Sequence, residues 1–167
     1  FNVIPIVPGT KRTAEKWDPW NARLSERALS DHWREHPDHE LGCIVGPKLI
    51  VLDADGPQAV AAVEHLMQIH GISCNFVIKT KRGKHFYFLL APGTFSKTCA
   101  YGSEEYPARI DVKHGRTMVV LPPSTGKTID TCEITTIDDL FAVDQEFVDA
   151  VFAHNGQPPP RPLALPE

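Results

Sequence analysis

The segment from Leu49 to Gly56 constrains the fold more than any other part of the chain. Its apolar run is typical of a buried strand, and Asp53 and Asp55 follow before the glycine ends that strand. Because residues i and i+2 of an extended chain point to the same face, the two carboxylates should project together from the strand end. Neighbouring carboxylates repel each other unless a cation lies between them. The segment therefore predicts either a site for a hard divalent cation or a solvated turn.

The composition indicates an ordinary globular domain. The 167 residues are 42% hydrophobic and 23% charged, and no apolar run approaches the roughly 20 residues that span a bilayer. With a net charge of -4, any nucleic-acid binding must come from a local basic patch. The four cysteines form no CxxC pair, so we expect no zinc knuckle; with no visible export signal, they indicate a reducing, cytoplasmic environment.

Apolar periodicity and turn residues predict one domain over residues 1–154. The expected helices are Ser25–Trp33, Gln58–His70 and Asp144–His154, with a short helical region at Ile137–Leu140. The expected strands are Phe1–Pro8, Leu41–Val45, Lys48–Leu52, Asn75–Thr80, His85–Leu90, Arg109–Val112 and Thr117–Leu121. Residues 155–167 are proline-rich and are interpreted as an extended linker or tail, which suggests that the natural protein continues.

A basic turn, Lys81–Lys84, joins two of the predicted strands, and His85 opens the second of them. Its glycine allows a tight turn, and its cations and backbone N–H groups can face a phosphate. The alternative is a solvated hairpin tip, where Lys and Arg are common. A second hairpin is predicted around Lys113–Arg116.

A third carboxylate, Asp111, lies inside an apolar strand. An unpaired buried carboxylate is costly, so Asp111 needs a partner. That partner is either a nearby cation such as Arg109 or a metal ion shared with Asp53 and Asp55.

In order and spacing, these features resemble the archaeo-eukaryotic primase superfamily, in particular the bifunctional primase–polymerase (Prim-Pol) domains of plasmids, phages and mobile elements. That family has D-x-D or D-x-E after a hydrophobic strand, a basic glycine-containing turn ending in His, and an Asp on a later strand. The resemblance spans roughly residues 3 to 126, and near its start it includes Pro5–Lys11 with Trp17 downstream. The matching residues are Asp53, Asp55, His85 and Asp111.

Two turns depart from the family pattern. Lys81–Lys84 stands where the family often has Gly-Arg-Gly-Gly, and Lys113–Arg116 stands where a glycine-rich turn is often seen. The substitutions add positive charge, so they keep the electrostatic character of both turns.

The resemblance implies an α/β (α+β) fold with an RRM-like, mostly antiparallel sheet flanked by helices. It implies a nucleotidyltransferase, a DNA primase or polymerase, that uses two Mg²⁺ or Mn²⁺ ions held by Asp53, Asp55 and Asp111. Its partners would be a single-stranded DNA template, nucleoside triphosphates and a replicative helicase, fused or separate, with no membrane. The residues expected to bind the nucleotide are Arg82, Lys84, His85, Lys11, Lys113, Arg116 and Ser124.

Two other functions stay open at this point. A metal-dependent phosphodiesterase or nuclease could use the same carboxylates on water, although it would not need the basic turn. A catalytically silent nucleotide- or DNA-binding module could keep the fold. For the enzyme, replacing Asp53 or Asp111 with alanine should abolish synthesis and, by relieving repulsion, keep or raise the melting temperature.

Overall fold

Strands dominate the part of the chain that the computed structural model describes, residues 1–14, 24–101 and 104–162. Within these ranges seven strands form one sheet, in which only the β4–β7 pair is parallel. The strands are β1 (Asn2–Ile6), β2 (Glu40–Ala54), β3 (Phe76–Lys79), β4 (Lys84–Leu90), β5 (Asp111–Leu121), β6 (Thr128–Cys132) and β7 (Ala142–Val143). The helices are α1 (Glu26–Glu35), α2 (Pro57–Ile69) and α3 (Gln145–His154), with a 3₁₀ turn at Ile137–Asp139. The predicted fold class, a mostly antiparallel sheet with helices, is confirmed.

The central strand of the sheet is β2. It pairs with β5 along one edge, while β1 and β4 share its other edge. β3 and β6 extend the sheet beyond β4. As a result, the end of β2 that carries Asp53 has a neighbouring strand on each side.

Two predicted strand breaks are wrong, because β2 and β5 are each continuous. The sequence indicated a break after Val45 and a hairpin around Lys113–Arg116. Instead, Gly46 pairs with Gly115 across the β2–β5 ladder, and the register shifts on both sides of that pair. The two glycines have φ of 73° and 65°, a region that other residues rarely adopt. They therefore mark one irregularity inside a single ladder, as at a β-bulge, and not two turns.

Strands β6 and β7 were not predicted. β6 is polar and mostly exposed, so it lacks the alternation of apolar residues that identifies a strand. β7 has only two residues and owes its strand conformation to pairing with β4. In both cases, pairing with the neighbouring strand holds the segment in a strand conformation that its own sequence does not indicate.

The two faces of the sheet are covered differently. Helices α2 and α3 pack on one face, where alternate residues of the strands, such as Leu52, Phe86 and Val112, form the larger core. The residues between them, such as Val51 and Tyr87, point to the other face and form a second cluster. Asp53, two positions after Val51, therefore lies on the face away from α2 and α3.

The ends of the three helices lie within two residues of the predicted ends. The Ser25 side chain caps α1 by accepting the Ala28 N–H at 3.1 Å, and Asp144 caps α3 by accepting the Phe147 N–H at 3.0 Å. No helix in the described ranges is long and apolar enough to cross a membrane. All four cysteines are free, as expected for a chain without a disulfide framework.

The proline-rich end touches the domain as far as it is described. Asn155, at the end of α3, is buried and bonds both the N–H and the C=O of Ile110, at 2.9 and 2.8 Å. Arg161 forms two hydrogen bonds with Asp149, at 2.9 and 2.7 Å. The domain boundary near residue 154 remains a prediction. Trp17, part of the resemblance, lies outside the described residues.

Candidate active site

A row of three polar side chains crosses the face of the sheet that points away from α2 and α3. Asp53 on β2 is the direct register partner of His85 on β4 and of Asp111 on β5. Directly opposed side chains on adjacent strands lie about 5 Å apart at Cβ. The sheet therefore brings together two of the three predicted carboxylates and the predicted histidine.

His85 interacts directly with Asp53. Its Nε2 lies 3.2 Å from Asp53 Oδ1, and the imidazole is buried, with Nδ1 3.4 Å from the Tyr87 hydroxyl. Burial raises the pKa of Asp53, but the hydrogen bond from His85 and the charges of His85, Lys113 and Lys127 outweigh it and lower the pKa to about 2. Asp53 is thus held as a carboxylate at neutral pH.

Lys113 joins the two opposed carboxylates. Its Nζ lies 3.1 Å from Asp111 Oδ2 and 3.6 Å from Asp53 Oδ2. Burial lowers the pKa of Lys113, but the two carboxylates outweigh it and raise the pKa overall. Asp111 also accepts the backbone N–H of Tyr101 at 2.6 Å, so both of its oxygens have partners.

The third predicted carboxylate, Asp55, is bound by the basic turn. Its Oδ2 accepts a hydrogen bond from Arg82 Nη2. The turn lies against the end of β2, because the Gly56 N–H donates to the Arg82 carbonyl at 3.0 Å. A Cβ at Gly83 would collide with the carbonyl oxygen of Ala54, so only glycine permits this approach. The predicted hairpin between β3 and β4 is confirmed, and it carries Arg82 to the acidic strand end.

A cavity of about 490 Å³ opens beside this row, large enough for a small-molecule ligand. Six Lys or Arg residues and two carboxylates line it, so the cavity attracts anions although the chain has a net charge of -4. The charged lining residues are Lys11, Lys81, Arg82, Lys113, Arg116, Lys127, Asp53 and Asp55, together with His85.

Five of the seven residues predicted to bind the nucleotide line this cavity: Lys11, Arg82, His85, Lys113 and Arg116. Lys84 is directed elsewhere, to Asp130 at 3.1 Å and Glu64 at 3.5 Å. The Ser124 hydroxyl bonds the N–H and C=O of Leu41, at 2.9 and 3.1 Å, and ties the end of β5 to β2. Nucleotide binding by these two residues stays a prediction that the geometry does not support.

Lys127 lines the cavity but was not predicted from the sequence. Its Nζ lies 3.4 Å from His85 Nε2, and burial, which outweighs the nearby carboxylates, lowers its pKa. Unlike Lys113, it has no carboxylate within ion-pair distance among the described residues. Ser124–Lys127 follows a strand and contains a glycine before its lysine, as Lys81–Lys84 does, and this similarity could have identified it.

The fit of a divalent metal ion to these residues is partial. Asp53 and Asp111 already converge on one cation, the Lys113 ammonium, and their hard oxygen atoms are the donors that Mg²⁺ and Mn²⁺ prefer. Asp55 is paired with Arg82 and does not join them. In residues 1–14, 24–101 and 104–162, no group of three His, Cys, Asp or Glu side chains is arranged to hold a metal ion. The predicted metal set of Asp53, Asp55 and Asp111 therefore remains a prediction.

Fold and site together define a class of protein. An antiparallel sheet with helices on one face presents a carboxylate pair and a histidine, beside a cation-lined cavity, on its other face. This arrangement combines oxygen donors for cations with positive charge for phosphate groups, and phosphoryl transfer requires both.

The family match is specific. Residues 1–141 match the model of the family described as bifunctional DNA primase/polymerase, N-terminal (Prim-Pol), and the chain belongs to this family. No curated protein matches the chain. The resemblance recognised in the sequence is therefore confirmed, and the chain carries a domain of DNA primase/polymerase type.

Proposed function

We propose that this domain catalyses template-directed nucleotidyl transfer, making primers or extending DNA from nucleoside triphosphates. The observation that supports it most is the row Asp111–Asp53–His85 beside the cation-lined cavity. The carboxylates provide oxygen ligands for cations, and the cavity provides positive charge for a triphosphate. Family membership points the same way.

Each group has a distinct part in the proposed reaction. The 3′-oxygen of the growing strand attacks the α-phosphorus, and pyrophosphate leaves. Two Mg²⁺ or Mn²⁺ ions, when bound, would supply activation of the hydroxyl and neutralisation of the triphosphate. Asp53 and Asp111 would hold them, joined by Asp55 once it leaves Arg82.

The cavity cations bind the substrate. Arg82, Lys11 and Lys127 would neutralise the β- and γ-phosphates, and His85 would donate a hydrogen bond to a phosphate oxygen. Such groups hold the leaving pyrophosphate in position while charge builds on it, which is the main contribution a protein makes to phosphoryl transfer. Single-stranded DNA would reach the same opening and contact the flanking basic residues, among them Arg116.

The test is incorporation of labelled nucleotide on a defined single-stranded DNA template with Mg²⁺ or Mn²⁺. The assay is run with and without a primer, and with ribonucleotides and deoxyribonucleotides separately. Synthesis of a product whose sequence follows the template is the expected result. Release of mononucleotides from the template, without synthesis, would identify a phosphodiesterase instead.

A catalytically silent nucleotide-binding module is the second candidate function. It is favoured by one observation: the Lys113 ammonium lies within 3.6 Å of Asp53 and 3.1 Å of Asp111 and can serve as their counter-ion. Such a module would bind nucleoside triphosphates through the cavity cations and incorporate none of them. Nucleotide binding measured beside incorporation separates this candidate from the enzyme.

A further inference from the structure

The contact between Lys113 and the two opposed carboxylates is the starting point. Like charges directly opposite each other on adjacent strands are destabilising. Asp53 and Asp111 are such a pair, and the Lys113 ammonium lies within 3.6 Å of one and 3.1 Å of the other. The three side chains are mostly buried, with 16%, 20% and 20% of the side chain exposed for Asp53, Asp111 and Lys113. The lysine thus takes the place that a bound cation has in a carboxylate cluster.

An ammonium and a divalent ion cannot share this place. Mg²⁺ requires oxygen ligands at about 2.0–2.1 Å, which leaves no space for a second cation between the same oxygen atoms. The two cations would also repel each other strongly in a partly buried site. Binding of a divalent ion to Asp53 and Asp111 must therefore move the ammonium away.

We propose that Lys113 is an internal counter-ion of the Asp53–Asp111 pair, that a divalent ion binds by displacing its ammonium, and that the displaced ammonium becomes a phosphate ligand. Lys113 lines the cavity, so the released group faces the space assigned to the triphosphate. The identity of that ligand rests on the proposed function, whereas the exchange of cations does not.

This exchange would couple the two binding events. Without metal, Lys113 neutralises the carboxylates and contributes little charge to the cavity. With metal bound, the same charge is free to attract a triphosphate. Nucleotide affinity would therefore rise with metal occupancy beyond the effect of a metal ion carried in on the nucleotide.

Lys84 provides a matched control within the same chain. Its Nζ also lies near two carboxylates, 3.1 Å from Asp130 and 3.5 Å from Glu64. Asp53 and His85 lie on the opposite face from Lys84, because neighbouring residues of a strand alternate in direction. Removal of Lys84 thus removes a similar set of ion pairs without touching the proposed exchange.

The first experiment measures Mn²⁺ binding by calorimetry for the wild type, Lys113→Met and Lys84→Met, without nucleotide. Lys113→Met is expected to bind Mn²⁺ about tenfold more tightly, because the ion no longer displaces an ammonium. Lys84→Met should match the wild type at the Asp53–Asp111 site. With Mn²⁺ saturating, Lys113→Met should bind a nucleoside triphosphate more weakly than the wild type. Unchanged or weaker Mn²⁺ binding by Lys113→Met would overturn the proposal.

The second experiment needs no variant, so it decides the question even if Lys113→Met does not fold. Lysines of the wild type are labelled with an amine-reactive reagent, with and without saturating Mn²⁺, and quantified by mass spectrometry. Labelling of Lys113 should rise several-fold with Mn²⁺, and that of Lys84 should not change. Equal labelling of Lys113 in both conditions contradicts the proposal.

The nucleotide incorporation assay separates this inference from the proposed function. If the wild type incorporates nucleotide but Mn²⁺ does not increase the labelling of Lys113, the proposed enzymatic function stands and the exchange of cations is wrong. If Mn²⁺ displaces Lys113 but no nucleotide is incorporated, the exchange of cations stands and the proposed enzymatic function is wrong. If neither the wild type nor Lys113→Met binds Mn²⁺, the Asp53–Asp111 pair is not a metal site and the exchange is wrong.

Discussion

Two lysines of this domain each bridge two carboxylates at nearly the same distances, yet the two clusters are different in kind. Lys113 joins Asp53 and Asp111, which are fixed opposite each other on β2 and β5. Lys84 joins Glu64 of α2 and Asp130 of β6, whose side chains are 52% and 35% exposed. Solvent screens the second cluster, so its ion pairs contribute little. The first is held by the backbone and is mostly buried, so solvent screens its ion pairs less.

The difference shows that ion-pair distance alone does not identify a functional cluster. In the Lys84 cluster, long side chains from residues far apart in sequence reach one another, and the backbone does not force the two carboxylates together. At Lys113 the sheet register forces two carboxylates together, and the lysine offsets a repulsion that already exists. The proposed exchange of cations is therefore assigned to the Lys113 cluster and not to the Lys84 cluster.

The largest difference between the clusters should appear in catalysis. Asp53→Ala and Asp111→Ala are each expected to lower nucleotide incorporation by about 100- to 1,000-fold or more, because each removes a charged group from the reaction centre. Asp130→Ala, from the Lys84 cluster, should retain the wild-type rate. Near-normal synthesis by Asp53→Ala or Asp111→Ala would show that the carboxylates are wrongly assigned.

A smaller effect is expected at His85, which borders only the Lys113 cluster. His85→Ala should weaken triphosphate binding by roughly 10- to 100-fold, since it removes the proposed hydrogen bond to a phosphate and the observed Asp53 contact. Affinity for single-stranded template should change less and should depend on salt. Titrations with nucleotide and with template test this, and His154→Ala, at the end of α3, is the control. Loss of template binding with unchanged nucleotide affinity would show that His85 contacts the nucleic acid and not the triphosphate.

The acid sensitivity of stability provides a third comparison. The pKa of Asp53 is lowered to about 2, against about 3.9 for an unfolded Asp. This carboxylate therefore adds stability above pH ~4, which is lost as the pH falls through the folded value. We expect Asp53→Asn to be less stable than the wild type by about 2 kcal/mol at neutral pH, the two converging near pH 2. Urea unfolding between pH 2 and 7 measures this.

That prediction reverses the one made from sequence alone. Repulsion between carboxylates suggested that losing one of them would keep or raise the melting temperature. In the structure, Asp53 is attracted by His85 and Lys113 more than it is repelled. A higher melting temperature for Asp53→Asn at neutral pH would favour the original expectation.

The smallest effect is expected at the Lys84 cluster itself. Lys84→Met should lower the free energy of unfolding by less than about 1 kcal/mol, and the difference should shrink at high salt. Lys113→Met should cost more, because it leaves two opposed carboxylates without their counter-ion. Denaturant titrations at low and high salt compare the two variants. Equal losses in the free energy of unfolding would show that the two clusters do not differ in strength.

Much of the site could be predicted from sequence because strand alternation is local. The spacing of Asp53 and Asp55, the apolar run before them and the glycine turn before His85 can each be recognised within a few residues. The register of β2 with β4 then places His85 beside Asp53. Lys127 was missed because its place beside His85 depends on how residues 122–127 fold back after β5.

Within the fold, the continuity of irregular strands could not be predicted from the sequence. Gly46 and Gly115 each predicted an interruption, since a glycine before a proline or between polar residues is a usual sign of a turn. Only their pairing with each other, across about 70 residues of sequence, allows both strands to continue. The polar strand β6 likewise depends on β3 for its conformation.

The sequence by itself determined the family, the fold class and the chemical types at the site, because these follow from the order of short motifs and from local periodicity. Only the tertiary structure decided which cation meets which carboxylate: Arg82 with Asp55, Lys113 with Asp53 and Asp111, Lys84 with Glu64 and Asp130. A lysine has the same charge wherever it lies in the chain. Its partners depend on strand register and on the direction of each side chain, and those are set by contacts between residues distant in sequence.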